Sequence, residues 1–340
     1  MQAIQRVVYS DDPNTAFDVR SVPKPTLPSE DHVVVAVHAW SINPVDVKLS
    51  AGWFSGFVSE SMPRTIGFDV AGVVEQVGTR VKDLQVGDKV FGDTGVDTQN
   101  AAAEFVACHA GKLAKIPDGV SFDEAASIPL VALSALDALQ WARVTDGQTV
   151  VVRGASSGVG TAAVQIARCL GAKRVIGISS REELCKQLGC DEVVNYRTAK
   201  WEEVLRGRNA DVFFDCIGGP DVFEGSKGVL KPSGAFATVA GDEQAAISIP
   251  RILKVVGAVL SRTVMSWVSS APSYGFIMKK ETPEKMAQLA RWMGDGKLRA
   301  VLDPLSPLPF GKSSVVAMAT KMHEGSAVGK LVMRLPQTPK

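Results

Sequence analysis

Ser156-Ser157-Gly158-Val159-Gly160 follows the β-branched run 150–152, with Arg153, Gly154 and Ala155 between them. Small and glycine residues after such a run suit one task well. They let the backbone approach a pyrophosphate while the next helix aims its N-terminal N–H groups at the charge. Residues 161–170 supply that helix, with small and apolar side chains at helical spacing. A second apolar run, 175–178, ends at Ser179-Ser180-Arg181. These residues lie about twenty positions after the glycines, where an NAD site places Asp or Glu for the ribose 2′-hydroxyl. Two hydroxyls and a guanidinium suit a 2′-phosphate instead, so the expected cofactor is NADPH. A glycine-rich turn alone is a weak signal; a strand before it and a helix after it are the context that strengthens it.

A second constellation is Asn43-Pro44-Val45-Asp46-Val47-Lys48. Pro44 fixes one φ of a turn, and Asp46 and Lys48 lie within one helical turn of it. Asn43 and Asp46 also suit a plain helix cap. No metal site is expected. The four histidines, His32, His38, His109 and His323, are isolated from one another, and the five cysteines include no CxxC pair. An odd number of thiols reads as buried or incidental cysteine in a reducing, cytoplasmic compartment.

These groups need elements to hold them, and the chain of 340 residues is long enough for two domains. A 46% hydrophobic fraction allows a full core, and a net charge of +1 with scattered basic residues implies no nucleic-acid partner. No apolar stretch approaches the ~20 residues of a membrane span. The N-terminus looks like a first strand rather than a signal peptide. The first part of the chain is rich in strands and turns, with runs at 33–39 and 69–77, and Ser121 is a plausible N-cap where helical periodicity takes over. From about 123 onward strands alternate with helices, at 150–152, 175–178, 192–195, 212–215 and 235–239. That alternation predicts a parallel α/β sheet with helical crossovers. Residues 255–260 read as an apolar run. Helices are expected at 283–294 and 313–323, an extended proline-rich stretch at 302–310 and a closing strand at 330–334. The expected division is 1–122 with 273–340 as one domain and 123–272 as the nucleotide-binding domain.

Asn43-Pro-Val-Asp46, Gly67-Phe-Asp-Val-Ala-Gly-Val-Val-Glu-Gln-Val-Gly78, Gly87-Asp-Lys-Val-Phe-Gly92, the glycine turn, 188–196, Asp215-Cys-Ile-Gly-Gly219 and Gly329-Lys-Leu-Val332 occur in one order. In that order and spacing they resemble the medium-chain dehydrogenase/reductases over nearly the whole chain. Within them the chain looks like the zinc-independent quinone oxidoreductase branch, nearest the alkenal/one (enone) oxidoreductases. The resemblance implies a Rossmann-type doubly wound parallel sheet, a β-rich GroES-like domain and a possible homodimer, in which residues 255–260 could pair edge to edge as a strand. Zinc alcohol dehydrogenases place Cys where Asn43 stands and a His-Glu pair where Phe68 and Asp69 stand, so no metal ligand set is expected here.

Hydride delivery to an electron-poor alkene or a quinone remains, and the oxygen that gains charge needs donors and a proton. Related enoyl-thioester reductases carry a Tyr where this chain has Phe54, and related quinone reductases a Tyr where it has Lys48. The expected catalytic group is therefore Asn43 or Lys48 on the oxyanion, with Tyr274 or water as proton source. The resemblance assigns Ser156, Ser157, Gly158 and Val159 to the diphosphate, and Ser179, Ser180, Arg181 and Tyr196 to the 2′-phosphate and adenosine. Ile217, Gly241 and Lys330 are its further cofactor residues. Ser157 departs from the pattern, which usually has Gly there, and Arg181 replaces the usual Lys. Trp53, Phe54, Phe57, Met62, Phe276 and Met278 could wall a pocket for a small apolar enal, enone or quinone. Ordinary core is the competing reading for each of them. Two other readings compete for the whole chain. Tyr196 and Lys200 fit the Tyr-x-x-x-Lys spacing of short-chain dehydrogenases, but the glycine turn lies in mid-chain rather than near the N-terminus. A NADPH-binding, non-catalytic crystallin-like or redox-sensing protein is the alternative from another class.

Overall fold

The computed structural model describes residues 1–56, 61–95, 98, 100–241, 256–262 and 271–336. They form two units, Met1–Leu130 with Glu281–Lys340, and Val131–Lys280.

Unit 1 is built mainly from antiparallel strands, with β15 (Leu308–Pro309) and β16 (Val332–Arg334) its parallel pair. β1 (Gln2–Arg6) pairs with β2 (Phe17–Ser21) and with β4 (Arg64–Thr65), and β3 (His32–Ser41) is the long central strand of a second sheet. On β3 the buried Val33, Val35 and Val37 recur at the spacing of two that brings one face of a strand to the core. β3 pairs with β5 (Asp69–Val77), which sets Ser41 opposite Asp69. β6 (Lys89–Asp93), β7 (Phe105–His109) and β8 (Leu113–Lys115) continue this sheet. Ile4, Phe17, Trp40, Val70, Val90 and Met318 meet in its core. Each such side chain contributes about 1.5–3 kcal/mol when taken out of water. Ser121 does cap the helix Phe122–Ala126, and the Glu124 carboxylate accepts the Ser121 N–H in return.

Unit 2 holds six parallel strands: β9 (Thr149–Arg153), β10 (Arg174–Ile178), β11 (Glu192–Val194), β12 (Ala210–Asp215), β13 (Leu230–Thr238) and β14 (Ser273–Phe276). Their spatial order is β11-β10-β9-β12-β13-β14. Chain order reverses between β9 and β12, the switch point of a doubly wound Rossmann sheet, where ligands bind beyond the strands' carboxyl ends. Val150, Val151 and Val152 of β9 are all buried, as a strand covered on both faces requires.

Two expectations shift here. The apolar run at 255–260 is no strand where it is described: residues 256–262 are helical, with Val256 47% and Leu260 59% exposed, and residue 255 lies outside the described residues. Periodicity does not separate strand from helix in so short a run. Among the described residues β14 is the last strand of this sheet and pairs with β13, and residues 273–280 belong to unit 2 rather than to the C-terminal return.

The chain then re-enters unit 1. The helix Pro283–Gly294 starts with Thr282 as its cap and Pro283 at its first turn, and the helix Lys312–His323 follows β15 (Leu308–Pro309). β16 (Val332–Arg334) closes against β3, with Val332 opposite Ser41. The C-terminal segment thereby reaches the end of β3 and the turn that begins at Asn43.

Candidate functional site

In unit 2 the glycine turn is tied to β10, since the N–H groups of Gly154 and Ala155 both donate to Ile178 O at 3.0 and 3.2 Å. Gly154 has φ +81°, and a Cβ on Gly160 would lie 2.0 Å from Gly154 O, so the helix starts this close to the strand only with glycine there. Ser157 caps the helix Gly158–Cys169, its Oγ accepting from Gly160 N. Among the described residues no protein acceptor takes the N–H of Gly158 or Val159. Two free amides at the positive end of a twelve-residue helix fit a phosphate. Ile217, 42% exposed, closes over Gly154.

At the end of β10, Ser179 is 1% exposed. Its hydroxyl donates to Ser156 Oγ at 2.8 Å and accepts from Arg181 N at 3.0 Å, so it shapes the loop instead of facing a ligand. Arg181 and Tyr196 are exposed and Ser180 half-buried. Hydrogen bonding to Ser180 pulls the Tyr196 phenol below its ordinary pKa, and the charges of Arg197 and Arg181 act the same way. Arg197 thus joins this cationic cluster. Sequence reasoning missed it, although a second cation directly after Tyr196 was the available signal.

Also missed was the support beneath the loop after β12. Asp215 and Arg153 are register partners on neighbouring central strands and form an ion pair of 2.8 Å. Asp215 also accepts from Ile217 N, Gly218 N and Thr238 Oγ1. Thr238 Oγ1 in turn accepts from Gly241 N, and Gly219 N donates to Gly241 O. This network fixes the backbone that carries Ile217 and Gly241. Two opposite charges at the carboxyl ends of adjacent strands were its legible trace.

Tyr274 is not where the sequence reading puts it. It is 5% exposed on β14, with the rings of Phe223 and Phe236 at 5.0 and 5.5 Å and the Arg262 guanidinium 4.8 Å from its ring centre. Aromatic packing of this kind builds the core of the sheet face and removes Tyr274 from a proton-donor position.

In unit 1, Pro44 begins the helix Pro44–Ser50, and the Asp46 carboxylate accepts from Asn43 N at 2.8 Å and Gly67 N at 3.1 Å. Burial pushes Asp46 up to about 7, with the nearby Asp69 adding to the rise. Asn43 is fully buried. Its Nδ2 donates to Asp69 Oδ2 at 2.8 Å and to Ser41 O at 3.4 Å, and its Oδ1 accepts from Lys330 Nζ at 2.5 Å. Lys330, 4% exposed, also donates to Ile42 O and Asp69 Oδ2. Both expectations for these residues are corrected: Asn43 keeps no free donor for an oxyanion, and Lys330 keeps none for a cofactor.

Lys48 differs. It is half-buried with its Nζ 5.0 Å from the centre of the Trp53 ring, and among the described residues it has neither a carboxylate nor a hydrogen-bond partner. Burial draws its pKa below the ordinary lysine value. An uncommitted, desolvated ammonium can donate to a developing enolate oxygen and can release a proton. Trp53, Phe54 and Met62 are half-buried in unit 1, while Phe276 and Met278 are 41% and 77% exposed in unit 2. Phe57 lies outside the described residues. No group of three or more His, Cys, Asp or Glu among the described residues is arranged to hold a metal ion.

Residues 29–118 match the alcohol dehydrogenase GroES-like domain, and residues 158–294 match the zinc-binding dehydrogenase family. The chain is 31% identical over 313 residues to a 2-methylene-furan-3-one reductase of Solanum lycopersicum, covering 89% of this chain and 72% of that protein. It is 30% identical, with the same coverage, to a chloroplastic NADPH-dependent alkenal/one oxidoreductase of Arabidopsis thaliana. Among solved structures, the quinone oxidoreductase from Coxiella burnetii superposes with a TM-score of 0.80 at 26% identity, covering 99% of each chain. With its GroES-like unit, its Rossmann unit and these relatives, the chain belongs to the medium-chain dehydrogenase/reductase family of oxidoreductases, alongside the enone and quinone oxidoreductases.

Proposed function

We propose that the protein uses NADPH, without zinc, to reduce the C=C bond of α,β-unsaturated carbonyl compounds or a quinone. The observation that carries this reading is the half-buried ammonium of Lys48, which has no carboxylate or hydrogen-bond partner among the described residues and is the kind of donor that an enolate or hydroquinone oxygen requires. The similarity to enone and quinone reductases supports the substrate class. Gly158, Val159, Ser156 and Ser157 hold the diphosphate, and Ser180, Arg181, Tyr196 and Arg197 hold the 2′-phosphate. When bound, NADPH supplies a hydride. Lys48 donates to the substrate's carbonyl oxygen, carries the charge as it develops, and yields the final proton itself or through water. Zinc is disfavoured because Asn43 and Asp69, at the positions of a metal's ligands, are already bonded to the Lys330 ammonium.

The substrate is small, apolar and uncharged, in keeping with the Trp53 ring beside Lys48. Five free thiols suit a reducing compartment such as the cytoplasm. The outer edge of β14 supports pairing with a second copy of the chain. The test is reduction of paired enone and quinone substrates with NADPH deuterated at its transferable hydrogen. Deuterium on the β-carbon establishes alkene reduction, and a hydroquinone without any labelled alkane points to the quinone. Lys48→Met should lower the single-turnover rate by roughly 10²–10³-fold, the cost of removing one oxyanion donor. An unchanged rate removes Lys48 from the chemistry.

A further inference from the structure

Lys330 and Asp69 lie 261 residues apart in the chain, and their side chains meet 3.1 Å apart with 5% and 0% exposure. A buried ion pair is a liability unless the remaining hydrogens and lone pairs are also used. Here they are. The ammonium has three N–H groups and three acceptors: Asn43 Oδ1, Asp69 Oδ2 and Ile42 O. Asp69 accepts further from Ser41 Oγ and Asn43 Nδ2 at 2.8 Å each and from Leu130 N at 2.7 Å.

The geometry around the pair is equally specific. Ser41 stands opposite Asp69 on β5 and opposite Val332 on β16, so three strand ends converge on the turn at Asn43. Gly329 has φ +61°, and a Cβ there would lie 2.1 Å from Val301 O. The chain before β16 therefore comes in too closely for any side chain at 329, and this approach delivers Lys330. The Asn43 carboxamide is gripped at its oxygen by Lys330 and at its nitrogen by Asp69. That residue is the N-cap of the helix carrying Lys48.

We propose that Lys330 is a positioning residue: an internal cation that, with Asp69, clamps the Asn43 carboxamide and so fixes where the helix Pro44–Ser50 holds the Lys48 ammonium, while taking no part in binding NADPH. The proposal rests on the reading of Lys48 as the oxyanion donor.

The experiment measures NADPH affinity by fluorescence titration, and the rate and pH profile of single-turnover enone reduction at saturating NADPH. Lys330→Met should leave the NADPH Kd within about threefold of the parent value. The same variant should slow hydride transfer by roughly 30-fold, the scale expected for a donor displaced by a fraction of an ångström, and shift the alkaline limb of the profile. Lys330→Gln combined with Asp69→Asn removes both charges but restores a donor to Asn43 Oδ1. It should recover about tenfold of the lost rate, a rescue that a need for charge alone would not produce. The proposal is overturned if Lys330→Met weakens NADPH binding by about 30-fold or more while transfer from the saturated complex is unchanged, the signature of a cofactor ligand. It also fails if Lys330→Met keeps the parent rate and profile. Where Lys330→Met does not fold, the paired variant decides: unchanged NADPH affinity supports the clamp, and lost affinity overturns it. Lys48→Met is measured alongside, and full activity there sinks the Lys48 reading without bearing on whether Lys330 binds NADPH.

Discussion

In unit 2 the amides of Gly158 and Val159 and the side chains of Arg181, Tyr196 and Arg197 face outward, and no carboxylate among the described residues pairs with either arginine. In unit 1 Asn43, Asp69 and Lys330 are just as polar, yet each is under 5% exposed and saturated by the others. One cluster leaves helix amides without a protein partner among the described residues, and the other spends its polar groups on one another. What separates them is availability, since both use the side-chain types that bind anions and cofactors elsewhere. A buried cation with three acceptors has nothing left to offer a phosphate, whereas an exposed guanidinium or an unpartnered helix amide still does.

The largest effect expected on this contrast comes from closing the open cluster. Gly160→Ala puts a Cβ 2.0 Å from a backbone oxygen, Gly154 O, which has no side-chain freedom with which to yield. The turn must move and the free amides with it. NADPH titration should then show no saturation in the range where the parent protein saturates, with a stability loss of roughly 1–3 kcal/mol from the overpacking. Near-normal binding would mean that the amides of Gly158 and Val159 are not the diphosphate site.

The same contrast explains what could be read from the sequence. Most partners in the unit 2 cradle are local: Ser157 caps an amide three residues on, and Ser179 reaches Ser156 across 23 residues. Motif spacing encodes such contacts, so the glycine turn, the alternating strands and the exposed cation after β10 were legible. Lys330 meets Asn43 across 287 residues. Nothing in the spacing of either segment shows that they meet, so both looked free and were assigned to ligands. Tyr274 failed for a related reason. A tyrosine in a short strand near glycine looks like a cleft residue until β14 is known to pair with β13, which puts the ring on the packed face. The apolar run near 255–260 was ambiguous on physical grounds, since so few residues satisfy either period.

An intermediate effect sharpens the open side of the comparison. Arg181→Met and Arg197→Met should each weaken NADPH binding by roughly 10- to 100-fold, the worth of a charged hydrogen bond. NADH, which lacks the 2′-phosphate, should bind each variant as it binds the parent. Parallel titrations with the two cofactors separate the outcomes: equal losses for both would move these arginines away from the 2′-phosphate. Losing the effect at Arg197 alone would confine the site to the end of β10.

The smallest effect at neutral pH belongs to the closed cluster and concerns Asp46, whose pKa is raised from 3.8 to about 7, first by burial and then by Asp69. A carboxyl that keeps its proton longer in the folded than in the unfolded state makes the folded chain bind more protons between those two values. Stability from this group is therefore fully present below about pH 4 and is lost as pH rises toward 7, by ~1.4 kcal/mol per unit. Asp46→Asn cannot ionise, so it escapes that loss. It also replaces one of two acceptor oxygens, which serve Asn43 N and Gly67 N, with an amide that cannot accept. The variant should thus be the less stable protein at pH 4.5, and its stability relative to the parent should rise steadily up to about pH 7, enough to close or reverse the gap, and then stay constant. Urea unfolding of both proteins across that range reads the difference directly, because groups shared by the two cancel. A gap that widens with pH would mean that the Asp46 carboxylate is stabilised as an anion. The closed cluster would then hold a third charge beside the Lys330–Asp69 pair, rather than a carboxyl kept neutral by burial.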